Sequence, residues 1–171
     1  PSIRVIRHDI NRGIGNALRS GYEAACKEYV CAIPGDNQFD LELLRAVKPF
    51  DDSTYYAFYR INTRYSNYRK LLSWGNRLFN QHVLGIFLRD VNWVKVYRLS
   101  QLRSIQPRLT SSLIESEICA KLFRRGARPI EMPTEYLSRI FGTPKGGGWK
   151  TLRLAMRDMS KLVWEVYRFR S

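Results

Sequence analysis

Pro34-Gly35-Asp36-Asn37-Gln38-Phe39-Asp40 ends a short apolar run, Tyr29-Val30-Cys31-Ala32-Ile33. An unbroken apolar run of this length, bounded by turn residues, marks a strand buried in a parallel sheet. Pro34-Gly35 stops the strand, so the polar groups of Asp36 and Gln38 stand just past its carboxyl end, where open α/β sheets bind ligands. In an extended turn both side chains could aim an oxygen at one cation. Such hard donors suit Mg²⁺ or Mn²⁺, which keep several waters and share coordination with substrate phosphates. An Asx-type turn that merely joins the strand to a helix beginning at Leu41 accounts for the same residues without any ligand.

Upstream of this stretch, Ile3-Arg4-Val5-Ile6-Arg7 alternates as a strand does, and the glycines of Asn11-Arg12-Gly13-Ile14-Gly15 mark a turn. A helix is expected over 16–28, with Ala17, Leu18 and Tyr22 on its buried side and Gly21 held close to the sheet. Downstream, a short helix is expected at 41–47 and a Tyr- and Phe-rich strand at 54–60. The spacing of Tyr68, Leu71, Leu72, Leu78, Phe79 and Val83 predicts a helix over 67–84. A loop carrying Asp90, a strand at 93–98 and a helix at 112–125 closed by Gly126 follow. The prolines of 128–133 place a last strand at a sheet edge. Strands alternating with helices imply right-handed crossovers and a mostly parallel sheet flanked by helices, an α/β class. The expected division is a domain over 1–148 and an amphipathic helix over 149–171.

Charge narrows the partners. The 171 residues carry 29 Lys and Arg against 15 Asp and Glu, a net charge of +14. Such an excess calls for an anionic partner: nucleic acid, a phosphate-rich ligand or an anionic membrane surface. Three cysteines without metal-ligand spacing fit buried thiols in a reducing compartment. No apolar run reaches the ~18 residues of a membrane-spanning helix. The chain opens without Met, directly on an expected strand, as a piece of a longer protein would. Arg69 and Ser73, four apart on one helix face, offer a charged fork and a hydroxyl to a phosphate, or are plain surface. Glu115 and Glu117 are two apart and face opposite sides, so at most one can reach a site, and solvated charge is the expectation for both. From Arg139 onward, eight Lys or Arg stand against Asp158 and Glu165. The tail's apolar stripe (Leu152, Ala155, Met156, Met159, Leu162, Val163, Val166) can lie on an anionic bilayer or pack on the domain.

Several blocks, in order, resemble the family 2 glycosyltransferases of GT-A fold, in their dolichol-phosphate mannosyltransferase branch. Asn11-Arg12-Gly13-Ile14-Gly15-Asn16-Ala17 through Gly21 is similar to the family's glycine-bearing helix start. Gly35-Asp36-Asn37-Gln38 resembles its D-x-D-x-Q turn, with Pro34 where the first acid stands. Arg60, Arg64, Arg69 and Ser73 match its arginine-rich stretch, and Asp90 with Lys95-Val96-Tyr97-Arg98 its next segment. Glu131-Met132-Pro133 and Arg139 through Gly142 to Lys145 resemble the closing strand and acceptor loop. The likeness covers residues 4–148, and the family's opening strand is missing.

The resemblance implies a Rossmann-like GT-A sheet and an inverting transfer of a sugar from a nucleotide diphosphate-sugar to a polyprenyl phosphate. It implies Asp36 and Asp90 as catalytic residues, and Asp36 with Gln38 as ligands of Mg²⁺ or Mn²⁺. Arg60, Arg64, Arg69, Ser73, Arg98, Arg139 and Lys145 would bind phosphate and substrate. A peripheral place on the cytoplasmic face of a membrane follows, with no nucleic acid as partner. Two alternatives stand beside it: a non-catalytic, membrane-associated relative disabled at Pro34, and a basic nucleic-acid-binding module.

Overall fold

The computed structural model describes residues 3–63, 66–137 and 149–169. In chain order the elements are α1 (Ile14–Ala24), β1 (Tyr29–Cys31), a 3-10 helix (Leu41–Ala46), β2 (Thr54–Ile61) and α2 (Asn67–His82). Then come β3 (Lys95–Arg98), α3 (Leu99–Ile105), α4 (Ile114–Arg124), β4 (Arg128–Glu135) and α5 (Trp149–Arg168). The four strands form one mixed sheet in the order β1-β3-β2-β4, flanked by helices.

The class is therefore α/β, but the sheet is less parallel than expected. β3 runs antiparallel to both β1 and β2, and only β2 and β4 pair in parallel. β1, β2 and β4 share one direction, with β3 inserted against them between β1 and β2. Strand direction depends on which distant neighbour a strand pairs with, and the alternation of 93–98 holds no trace of that choice. β4 does lie at an edge, with Pro129 and Pro133 opposite Tyr55 and Tyr59 of β2.

Side-chain alternation along β2 divides the core between the two sheet faces. Tyr55 and Ala57, with Tyr97 of β3, meet Leu102, Ile105, Ile114, Ile118 and Leu122 of α3 and α4. Tyr56 and Phe58, with Val94 and Val96, meet Phe39 and the partly buried Leu43 and Leu44 of the 3-10 helix. α4 ends as its sequence requires: Gly126 takes φ +87° and donates to Phe123 O, while Ala127 N donates to Leu122 O. These two bonds are a Schellman motif.

Two other expectations are corrected, and the tail, open between two placements, takes one of them. Residues 3–7 are irregular, with Ile3 and Val5 93% and 77% exposed, because nothing among the described residues pairs with them as a strand neighbour. The closely packed glycine of α1 is Gly15 and not Gly21: a Cβ on Gly15 would come within 2.4 Å of the Thr110 and Ser111 backbone, whereas Gly21 has open space. The tail is joined to the domain, since Leu162 and Val166 of α5 are fully buried in the core over α4. That part of the apolar stripe is not available to a bilayer.

Candidate site at the carboxyl edge of the sheet

Because β1, β2 and β4 run together, their carboxyl ends lie along one edge of the sheet. The reversal of β3 brings its amino end, and the Asp90–Trp93 turn before it, to the same edge. The Asp36 turn after β1 is linked to the residue beyond β4: Gln38 Nε2 donates to Leu137 O and Leu137 N to Gln38 O, both at 3.4 Å. Asn37 takes φ +59°, which tightens the turn, and Gln38 is buried while Asp36 is half-buried. Phe39 anchors the turn from below, with its ring 5.1 Å from Phe58 and 6.4 Å from Trp93.

Trp93 carries the connection to the charged pair. Arg60, at the end of β2, donates from Nε and Nη2 to the two carboxylate oxygens of Asp90 at 2.6 and 3.0 Å. Its guanidinium lies 4.6 Å from the Trp93 ring centroid and 5.6 Å from that of Tyr136. The two rings are themselves 5.7 Å apart. Both side chains of the ion pair are less than one-fifth exposed, so the bidentate bonds are shielded from water and hold the fork in one plane.

Behind this edge lies a buried polar network. The Lys95 ammonium donates to Val91 O, to Trp93 O at 3.0 Å and to Glu115 Oε2 at 3.1 Å. The Tyr22 and Tyr97 hydroxyls donate to the two oxygens of the same Glu115 carboxylate, each at 2.9 Å. Burial presses the Lys95 ammonium toward its neutral form, but the charge and hydrogen bond of Glu115, with Cys119 and Asp90 nearby, together outweigh it and hold the pKa above the ordinary value. Burial, followed by the Glu115 charge, pushes the Tyr22 hydroxyl up, and burial pushes Tyr97 up as well. Lys95 thus fastens the 91–93 turn, and with it Asp90 and Trp93, to α4. Glu117, also fully buried, accepts from Arg108 N, Leu109 N and the Lys121 ammonium. Neither glutamate is solvated. Each faces a different buried set of donors, and Glu117 fixes the chain at 108–109 rather than a site.

Of the residues expected in a site, the structure brings Asp36, Gln38, Arg60 and Asp90 to one edge. Arg69 and Ser73 share a face of α2, Arg69 half-buried and Ser73 exposed. Arg98 is elsewhere: the reversed β3 carries it to the opposite edge, where it bonds Glu28 at 2.8 Å and Phe50 O at 3.1 Å and lies 3.4 Å from Asp52. Arg64, Arg139 and Lys145 lie outside the described residues. Among the described residues no three His, Cys, Asp or Glu side chains gather as a metal-ligand group. The donors at the Asp36 turn are one carboxylate and one amide, which fits a hard cation only when a substrate's phosphates complete its shell.

Trp93, Tyr136, Lys95 and Glu115 were not among the expected site residues. One signal for Lys95 was present, since period two puts it on the strand face of Tyr97, which packs toward α3 and α4, while Trp93 packs on the other face with Phe39. Comparison with protein-family models, curated proteins and solved structures finds no match to this chain.

Proposed function

We propose that the chain is a GT-A-type glycosyltransferase that moves a sugar from a nucleotide diphosphate-sugar to a polyprenyl phosphate at the cytoplasmic surface of a membrane. The observation that carries this is the convergence of Asp36, Gln38, Arg60 and Asp90 on the carboxyl edge of an α/β sheet, the edge where such sheets bind ligands. Three co-directional strands with one reversed strand among them are compatible with the Rossmann-like class to which the proposal assigns the sheet.

The chemistry asks little of a base. An acceptor phosphate is ionised near neutral pH, so its oxygen attacks the anomeric carbon as the bond to the diphosphate breaks, and configuration inverts. The obstacle is the meeting of two anions, which fixed positive charge relieves. Asp36 and Gln38 would hold Mg²⁺ or Mn²⁺ against the donor diphosphate, and that ion, when bound, neutralises charge on the leaving group. Arg60 presents a guanidinium whose orientation is set by Asp90 and the Trp93 and Tyr136 rings. Asp90 is therefore a positioning group, not a base. Arg69 and Ser73 supply a fork and a hydroxyl to a second phosphate, and the net charge of +14 serves anionic substrates without nucleic acid.

One observation favours a non-catalytic relative: Pro34 stands where a second carboxylate would strengthen the cation site. Incubation of the chain with labelled nucleotide diphosphate-sugars, Mn²⁺ and a polyprenyl phosphate in detergent separates the two. Transfer predicts a glycosyl phosphate with inverted anomeric configuration. No product from any donor, in a chain that is folded, would leave the non-catalytic role.

A further inference from the structure

α2 is sixteen residues long, yet Asn80 is its one buried residue. A water-soluble helix draws most of its stability from packing an apolar face, so an outward apolar face marks an interaction surface. The carboxyl half of α2 packs on the core through Phe79 and, just beyond the helix, Val83. Its amino half presents Tyr68, Leu71 and Trp74, at steps of three, 54%, 62% and 60% exposed. Lys70 and Arg77, seven apart and exposed, border that stripe, and α2 contains no Asp or Glu.

We infer that this outward face of α2 seats the protein on an anionic lipid bilayer. Tyr68, Leu71 and Trp74 enter the boundary between headgroups and acyl chains, while Lys70 and Arg77 meet lipid phosphates. Three features favour lipid over another macromolecule. Phenol and indole rings settle at membrane interfaces, where one end is apolar and the other wet. The centre of the stripe is aliphatic Leu71, which offers no stacking surface to a nucleobase. A helix with cations and no acid, in a chain of net charge +14, complements a negative surface. Arg69 and Ser73 lie on the other side of the same helix, so they take no part in seating the stripe. This deepens the surface-docking part of the function proposed above and does not depend on the transfer chemistry.

The test is flotation of the chain with phosphatidylcholine vesicles, with and without phosphatidylserine. The parent is expected to float with the anionic vesicles and to float less as salt rises. Leu71→Glu and Trp74→Glu are each expected to lower the bound fraction about tenfold, and Lys70→Glu with Arg77→Glu to lower it mainly at low salt. All four side chains are exposed, so unchanged unfolding midpoints certify the fold of each variant. In parallel, brominated-lipid quenching of tryptophan fluorescence is expected in the parent and reduced in Trp74→Phe. Parent protein that stays unbound, or variants that float equally well, would overturn the inference. So would a parent dimer that Leu71→Glu dissociates, or binding of single-stranded RNA lost in the same variants. Sugar transfer is not read here, so a negative result leaves the proposed reaction standing, and absent transfer leaves this surface standing.

Discussion

Lys95 carries its ammonium into the core, where Val91 O, Trp93 O and Glu115 Oε2 receive it. One side chain thereby decides where Asp90 and Trp93 sit, and through them where Arg60 points. Removing one partner of a buried pair strands the other's charge. Lys95→Met and Glu115→Gln are therefore each expected to cost about 3–5 kcal/mol of unfolding free energy in urea titrations. The double variant should cost less than the sum, because it leaves no stranded charge. Additive losses would mean that the two groups act independently. The pH dependence has a definite sign. Lys95, Tyr22 and Tyr97 all bind protons more tightly folded than unfolded, so their contribution is complete below the usual Lys and Tyr range and is lost as pH rises from that range toward their raised folded values. Stability of the parent should then fall above about pH 10.

Elements were legible in the sequence where a local rule defines them. The helix closing at Gly126 was readable because only a left-handed residue completes its Schellman motif, and the acidic turn because Pro34-Gly35 must end a strand. What was not legible depends on contacts distant in sequence. The direction of β3 is one such case, and with it the separation of Arg98 from Asp90. The burial of Glu115 and Glu117 is another, since donors for them come from Tyr22, Lys95, Tyr97 and the 108–109 backbone. The site was half legible: Asp36, Gln38, Arg60 and Asp90 stood out as polar residues in a recognisable order, but the aromatic wall of Trp93 and Tyr136 did not. The tail had two open assignments, and packing of Leu162 and Val166 decides for the domain. Leu162→Ala is expected to destabilise the whole chain by about 2–5 kcal/mol in a single cooperative transition. Separate melting of α5, with the rest of the molecule unchanged, would contradict that placement.

At the scale of the whole molecule, two surfaces bear on the proposed reaction. The carboxyl edge of the sheet gathers a carboxylate turn beside an oriented guanidinium, and α2 turns an apolar, cationic face outward. A polyprenyl chain leaves a bilayer only at about 0.8 kcal/mol for each exposed CH₂, so an enzyme acting on its phosphate must work at the membrane surface. The proposed transfer makes Asp36 central, as the carboxylate that would hold the cation against the donor diphosphate. The most direct measurement is the initial rate of sugar transfer to polyprenyl phosphate as Mn²⁺ is titrated into the parent, Asp36→Asn and Pro34→Asp. The parent should show saturable dependence on the cation, Asp36→Asn should lose about a hundredfold or more in rate, and Pro34→Asp should saturate at lower Mn²⁺. Equal rates and equal Mn²⁺ dependence in all three would contradict the assignment of the sheet's carboxyl edge as the transfer site.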